Sequence, residues 1–160
     1  MISLKPVIAL LKIKPADFDG LWFRKVGGAA DYAKIRPEAL PLPAAWVVRN
    51  SDKSKAAGLL EDNCTPGFEV VVAIENVRTH EDGDTDDLLL KYRRAVYQKL
   101  RGTVIVADVR PIYWHGGRVI EYTDGDLYWA DSYSFDAVVT NYLPDPAPFE
   151  SLTNTGGTAL

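Results

Sequence analysis

The segment 68–75 constrains the fold of this 160-residue chain more than any other part of the sequence. Alternate residues there would place only large apolar side chains on one face, namely Phe68, Val70, Val72 and Ile74. The other face is mixed, with two acidic and two apolar residues: Glu69, Val71, Ala73 and Glu75. Such a pattern is typical of a strand with one core face and one partly covered face. We predict a strand here, which the sequence allows to continue through Val77 and Arg78.

The segment that follows predicts an amphipathic helix from about residue 85 to residue 101. Its apolar residues recur at helical spacing, and they are Leu88, Leu89, Tyr92, Ala95, Val96 and Leu100. Acidic residues before the helix and basic residues near its end complement the helix dipole. Gly102 is the predicted stop.

The first half of the chain predicts shorter elements. We expect helices over residues 3–13, with Pro6 in the first turn, and 29–35, and strands over residues 21–26 and 44–49. Gly27 and Gly28 are expected to break the first of these strands. Residues 50–67 show no useful periodicity, which predicts a long mobile loop with a helical turn near residues 55–60.

The last third is rich in predicted strands. Asp124-Gly125 separates two alternating segments, 118–123 and 126–131, and predicts a tight β-hairpin. Residues 133–142 predict a further strand. The prolines that begin at Pro144 predict a flexible, proline-rich C-terminal tail over residues 144–160, which leaves residues 1–143 as a single domain.

The order of these elements predicts the fold class. Repeated β-α-β units are missing from the pattern, so a doubly wound parallel sheet is disfavoured. The sequence instead predicts an α+β fold, in which a mostly antiparallel sheet has its helices packed on one side and a hairpin at Asp124-Gly125.

Composition excludes several classes of function. With 18 basic and 22 acidic side chains, the net charge is −4, which is not the basic excess of an ordinary duplex-binding protein. A single cysteine cannot form an internal disulfide. No apolar stretch approaches the roughly 20 residues of a membrane span. Zinc would have to draw on Cys64, His80 and His115, whose spacing fits no zinc motif.

The acidic run 81–87 is the most conspicuous polar motif. Asp82, Asp84 and Asp86 alternate as carboxylate ligands do in a calcium loop. The match fails at two points, because Gly83 is in the second position and Arg93 stands where the bidentate glutamate belongs. A solvated turn that caps the next helix is the preferred interpretation. A small metal-dependent binding protein or enzyme that uses this run is the alternative from a different class.

The remaining candidates for chemistry also have structural explanations. His80 and His115 are interpreted as surface or turn residues, and Cys64 as an incidental thiol. Gly27-Gly28 lacks the spacing of a phosphate-binding loop. The aromatic residues between 113 and 142 are interpreted as part of a half-buried sheet and a subunit interface, because a stacking platform would need a basic groove. The sequence predicts no catalytic, cofactor-binding or metal-ligating residue.

The order and spacing of several segments resemble the tail terminator proteins of tailed bacteriophages. These segments are the N-terminal helix with Pro6, residues 26–31, 42–47 and 68–78, the helix 88–100, and residues 116–120, 124–129 and 132–138. They cover most of residues 1–142, whereas residues 103–112 and the proline-rich tail fall outside the pattern.

The resemblance implies a structural protein with no catalytic residues and no cofactor. Proteins of this family form a ring, typically a hexamer, at the head-proximal end of the tail tube, stop tube polymerisation and provide the head-joining surface. The implied partners are further copies of the chain, the major tail tube protein and a head-completion or stopper protein, with no membrane partner. DNA would pass through the lumen without specific binding. The implied location is the virion, after assembly in the host bacterial cytoplasm.

Two sequence features agree with this role. The mild acidity suits a conduit through which DNA slides, because phosphate contacts are what make DNA binding tight. The predicted loop 50–67 is expected to order on docking to the tube. Another head–tail connector, such as a neck or tail-completion protein, is the nearest alternative.

Overall fold

A computed structural model describes residues 1–34, 41–76, 83–123 and 125–141 of the chain. The described residues form three helices and six strands. In chain order these are α1 (Lys5–Lys12), β1 (Lys25–Gly28), α2 (Ala29–Ala33), β2 (Ala44–Ala56), β3 (Glu61–Glu75), α3 (Asp84–Leu100), β4 (Tyr113–Tyr122), β5 (Asp126–Ser134) and β6 (Ala137–Thr140).

The strands form one sheet with the order β1-β2-β3-β5-β4, and β6 pairs with the first residues of β3. β1 pairs with β2 in parallel, and the other pairings among the described strands are antiparallel. The predicted α+β class with a mostly antiparallel sheet is therefore confirmed. The predicted hairpin is confirmed too, since β4 and β5 pair up to Tyr122 and Leu127, although Asp124 itself lies outside the described residues.

The alternation predicted for segment 68–75 divides the interior into two cores. Phe68, Val70, Val72 and Ile74 belong to the larger core, which also contains buried residues of α1 and α3. Val71 and Ala73 face the opposite side with Trp46. The two long helices thus share one face, as predicted. The five-residue α2 differs, because its Tyr32 packs against Trp46 on the other face, with ring centroids 5.6 Å apart.

The prediction of a loop over residues 50–67 is wrong. β2 continues through Ala56 and pairs with β3 from Ser51–Gly67 to Ala56–Asp62, beyond a bulge near Arg49. We call this extension, residues 51–67, the β2–β3 arm. The predicted helical turn near residues 55–60 is replaced by the reversal between the two strands. Every residue from 51 to 60 is exposed, so the segment needs no apolar alternation, and hydrogen bonds between strands define it.

The prediction that Gly27 and Gly28 break a strand is also wrong. Both lie within β1, which begins at Lys25 rather than at residue 21. Asp31 of α2 folds back to accept a hydrogen bond from the Gly28 amide, at 3.2 Å. A Cβ on Gly27 would lie 2.6 Å from the Asp31 carboxylate, so the glycine permits this close approach.

Other boundaries moved by a few residues. α3 matches its prediction within one residue at each end, and its buried residues are Leu89, Tyr92, Ala95, Val96 and Leu100. β4 begins at Tyr113, earlier than residue 118, and the strand predicted over 133–142 is divided between β5 and β6. The extension through Val77 and Arg78 and the tail 144–160 lie outside the described residues, so the division at residue 143 stays a prediction.

Candidate functional site

An ion pair joins α3 to β5 on the helix-covered face of the sheet. The Arg93 guanidinium donates from Nε and Nη2 to the two carboxylate oxygens of Asp131, each at 2.8 Å. Asp131 is only 3% exposed, and the hydrogen bond to it raises the pKa of Arg93. Trp114 of β4 donates from Nε1 to the same carboxylate at 3.0 Å. The guanidinium also lies 4.2 Å from the centre of the Trp129 ring.

The local sequence explains how this network forms. Asp131 alternates with Trp129 and Tyr133 along β5, so it points to the face that α3 covers. Gly117 pairs with Asp131 across the β4–β5 ladder. A Cβ at Gly117 would collide with the Asp131 carboxylate and the Trp129 indole nitrogen. Because glycine has no side chain, Gly117 leaves room for the Asp131 carboxylate and the Trp129 indole.

A cavity of about 270 Å³ opens beside the ion pair, between α3 and the β4–β5 hairpin. We call it the α3–β4 cavity, and it is lined by Leu90, Arg93, Arg94, Tyr97, Trp114, Asp131 and Tyr133. Tyr97 and Trp114 meet edge to face at its mouth, with ring centroids 5.7 Å apart. The Tyr133 hydroxyl is buried without a hydrogen-bond partner among the described residues, and burial raises the pKa of Tyr133.

β4 is the last strand on its side of the sheet, so its outer edge is unpaired within the described residues. It also exposes large apolar side chains, namely Tyr113, Trp114, Val119, Ile120 and Tyr122. An exposed apolar edge strand is a ready template for pairing with another chain. Of the aromatic residues grouped in the sequence, Tyr128, Tyr133 and Phe135 are buried within the subunit. The interface role of the exposed ones stays a prediction.

The β2–β3 arm provides a second exposed surface. Its tip carries Leu59, which is 98% exposed, followed by the exposed Leu60. Large apolar side chains at the end of a polar hairpin gain nothing from the core of their own subunit. The base of the arm lies beside the start of β4, because Lys53, Thr65 and His115 line one pocket. The apolar tip of the arm and the aromatic outer edge of β4 are nevertheless two unlike candidate contact surfaces.

The histidine, cysteine and acidic residues considered as candidates for chemistry are dispersed over the described structure. Nε2 of His115 lies 2.6 Å from Oγ of Ser134, which ties the bulge in β4 to β5. Cys64 is buried, and its burial raises the pKa of the thiol, so it is a poor nucleophile.

Asp84 and Asp86 lie in the first turn of α3, whereas His80 and Asp82 lie outside the described residues. Within the parts of the chain that the structure describes, no cluster of three or more His, Cys, Asp or Glu side chains could hold a metal ion.

The Arg93–Asp131 pair was not predicted from the sequence. Arg93 lies off the apolar stripe predicted for α3, and Asp131 ends the predicted strand 126–131. One signal was present, because Asp131 is an acid between two aromatic residues on the inward face of an alternating strand. The partner could not be identified, since 38 residues separate the two along the chain.

Comparisons with known proteins identify a family. A family model described as phage tail terminator protein matches residues 14–142, most of the chain. A search of curated proteins gave no match. Among the helices that the structure describes, none is long and apolar enough to cross a membrane.

Proposed function

Because the chain belongs to the phage tail terminator protein family, we propose that it forms a ring on the head-proximal end of the tail tube. Family membership gives it a structural, tail-terminating role and interactions with other tail components. The proposal adds that the ring is a hexamer, that it stops tube polymerisation and that it provides the surface to which the head joins.

Two unlike exposed surfaces support ring formation. A closed ring requires heterologous contacts, in which one patch of a subunit meets a different patch of the next. The β4 edge, with its exposed aromatic residues, and the β2–β3 arm meet this requirement. This pair of surfaces is the observation that carries the proposal beyond family membership.

The proposed partners follow from position in the tail. One face of the ring would contact the major tail tube protein, and the other a head-completion or stopper protein, in a virion component assembled in the host bacterial cytoplasm. DNA would traverse the lumen without specific contacts, since a chain with a net charge of −4 offers few phosphate ligands overall. No cofactor or membrane partner is proposed.

Electron microscopy of particles made without this protein tests the proposal. Overlong tails are the expected result, because unchecked polymerisation extends the tube. Tails of normal length that are detached from full heads would instead identify a neck or tail-completion protein. Light scattering of the purified protein, with and without tail-tube protein, then measures whether it forms a ring and of how many copies.

A further inference from the structure

We propose that the tip of the β2–β3 arm of one subunit inserts into the α3–β4 cavity of the next subunit. The inference rests on the proposed ring and identifies one contact that closes it. The occupant of the cavity is a second copy of this chain, and the inserted side chain is Leu59.

The arm is built to reach a neighbour. Between Gly67, where β3 leaves the β5 strand, and Glu61 lie six residue steps, or about 20 Å at roughly 3.3 Å per residue. β6 supports β3 along the last part of this length. The amides of Ala57 and Gly58 both donate to the Glu61 carbonyl, at 2.9 and 3.1 Å. The tip is therefore a preformed turn, which lowers the entropy lost on docking.

The cavity suits an apolar side chain. Its volume of about 270 Å³ exceeds the ~150 Å³ that is enough for an apolar cavity to hold benzene, so one leucine side chain has room. Leu90, Tyr97 and Trp114 line it and are all exposed. Tryptophan, tyrosine and arginine are the residues that dominate interface energetics.

The subunit's own arm does not fill this cavity. Leu59 is almost fully exposed, whereas the cavity lies beside the β4–β5 hairpin. Insertion between copies joins two different surfaces, so it generates a heterologous contact that can repeat around a ring. Charge complementarity also favours a second copy, because Asp62 follows the tip and Arg94 lines the cavity.

Cross-linking tests the contact directly. A Leu59→Cys chain is mixed with a Leu90→Cys chain under ring-forming conditions, oxidised mildly and run on a non-reducing gel. We expect a covalent dimer that contains one chain of each kind. The matched control replaces Leu59→Cys by Lys53→Cys, which is exposed on the same arm but away from the tip, and should give no such dimer. Absence of the Leu59–Leu90 cross-link in assembled rings would overturn the inference.

A second variant measures the contribution of the tip. Leu59→Asp should leave the circular dichroism spectrum unchanged, since the side chain is exposed. It should weaken ring association at least about tenfold, the size of an interface hot spot. Val104→Asp is the control, because Val104 is exposed but belongs neither to the arm nor to the cavity lining. If the wild-type chain forms rings and Leu59→Asp forms rings of equal stability, the proposed tip contact is wrong while ring formation stands. A wild-type chain that stays monomeric even with tail-tube protein would refute the ring itself.

Discussion

Arg93 on α3 and Asp131 on β5 meet through two parallel hydrogen bonds of 2.8 Å, although Asp131 is almost completely withdrawn from solvent. A two-point guanidinium–carboxylate contact is directional as well as strong. Since Trp114 donates to the same carboxylate, the pair fixes α3 and β4 relative to each other. Those two elements form the walls of the α3–β4 cavity, so the ion pair sets the cavity's shape.

Removing one partner of this pair should destabilise the protein strongly. Arg93→Ala leaves a buried carboxylate without its counter-charge, which costs about 3–5 kcal/mol. Urea unfolding followed by tryptophan fluorescence measures the free energy of unfolding. Arg118→Ala is the control, because the Arg118 side chain is 62% exposed in its pair with Glu69 and ion pairs open to solvent contribute about 0–1 kcal/mol. The double variant Arg93→Met with Asp131→Leu should be more stable than Arg93→Ala. Equal losses for Arg93→Ala and Arg118→Ala would contradict the assigned role.

Gly117 should tolerate no side chain. A Cβ there would collide with Asp131, the Trp129 indole and the backbone oxygen of Ala130, so Gly117→Ala is expected to cost about 1–3 kcal/mol. Gly58→Ala is a matched control, since its Cβ would lie 3.9 Å from the nearest neighbour and its effect should stay within about 0.5 kcal/mol. Thermal unfolding of both variants compares them. A Gly117→Ala protein as stable as Gly58→Ala would show that the network rearranges freely.

The β2–β3 arm should be protected from amide hydrogen exchange. From Asp62 to Cys64, β3 is paired with β2 on one side and β6 on the other, so the amides of Asn63 and Cys64 should exchange slowly. The amide of Leu59 at the tip should exchange fast, as an internal reference. Exchange measured by NMR on the isolated protein distinguishes this hairpin from a mobile loop, in which all these amides would exchange at comparable rates.

The same arm shows where sequence reasoning succeeds and where it stops. β3 was predictable from Phe68 to Glu75, because burial on the core face imposes apolar alternation there. From Glu61 to Gly67 the same strand carries no such pattern, because its buried positions hold Cys64, Pro66 and Gly67 rather than large apolar side chains. The Arg93–Asp131 pair depends on contacts between distant segments, which periodicity does not encode. The tail-terminating role was inferred from the family resemblance, which depends on the order and spacing of several segments and not on any individual residue.

Stability should fall in alkaline solution as the buried tyrosines ionise. Burial, followed by the nearby Asp126 and Glu121 carboxylates, raises the pKa of Tyr128 to about 12 from 10.0. A raised pKa in the folded state means that folding favours the protonated phenol. The corresponding stability is complete below pH 10 and is lost as the pH rises towards 12. Urea unfolding between pH 9 and 12 should show this decline, and Tyr128→Phe should make it shallower. An identical decline in that variant would assign the effect to other groups.

The acids that begin α3 should act on the helix rather than on a metal ion. Asp84, Asp86 and Asp87 lie in its first turn, where negative charge interacts favourably with the positive end of the helix dipole, by about 0.3–1 kcal/mol for each residue. Asp86→Asn should therefore lower the free energy of unfolding by that amount at low salt, with a smaller effect at high salt. Calorimetric titration with calcium should give no heat beyond dilution. A saturable heat that Asp86→Asn abolishes would instead support the metal-dependent alternative for the run 81–87.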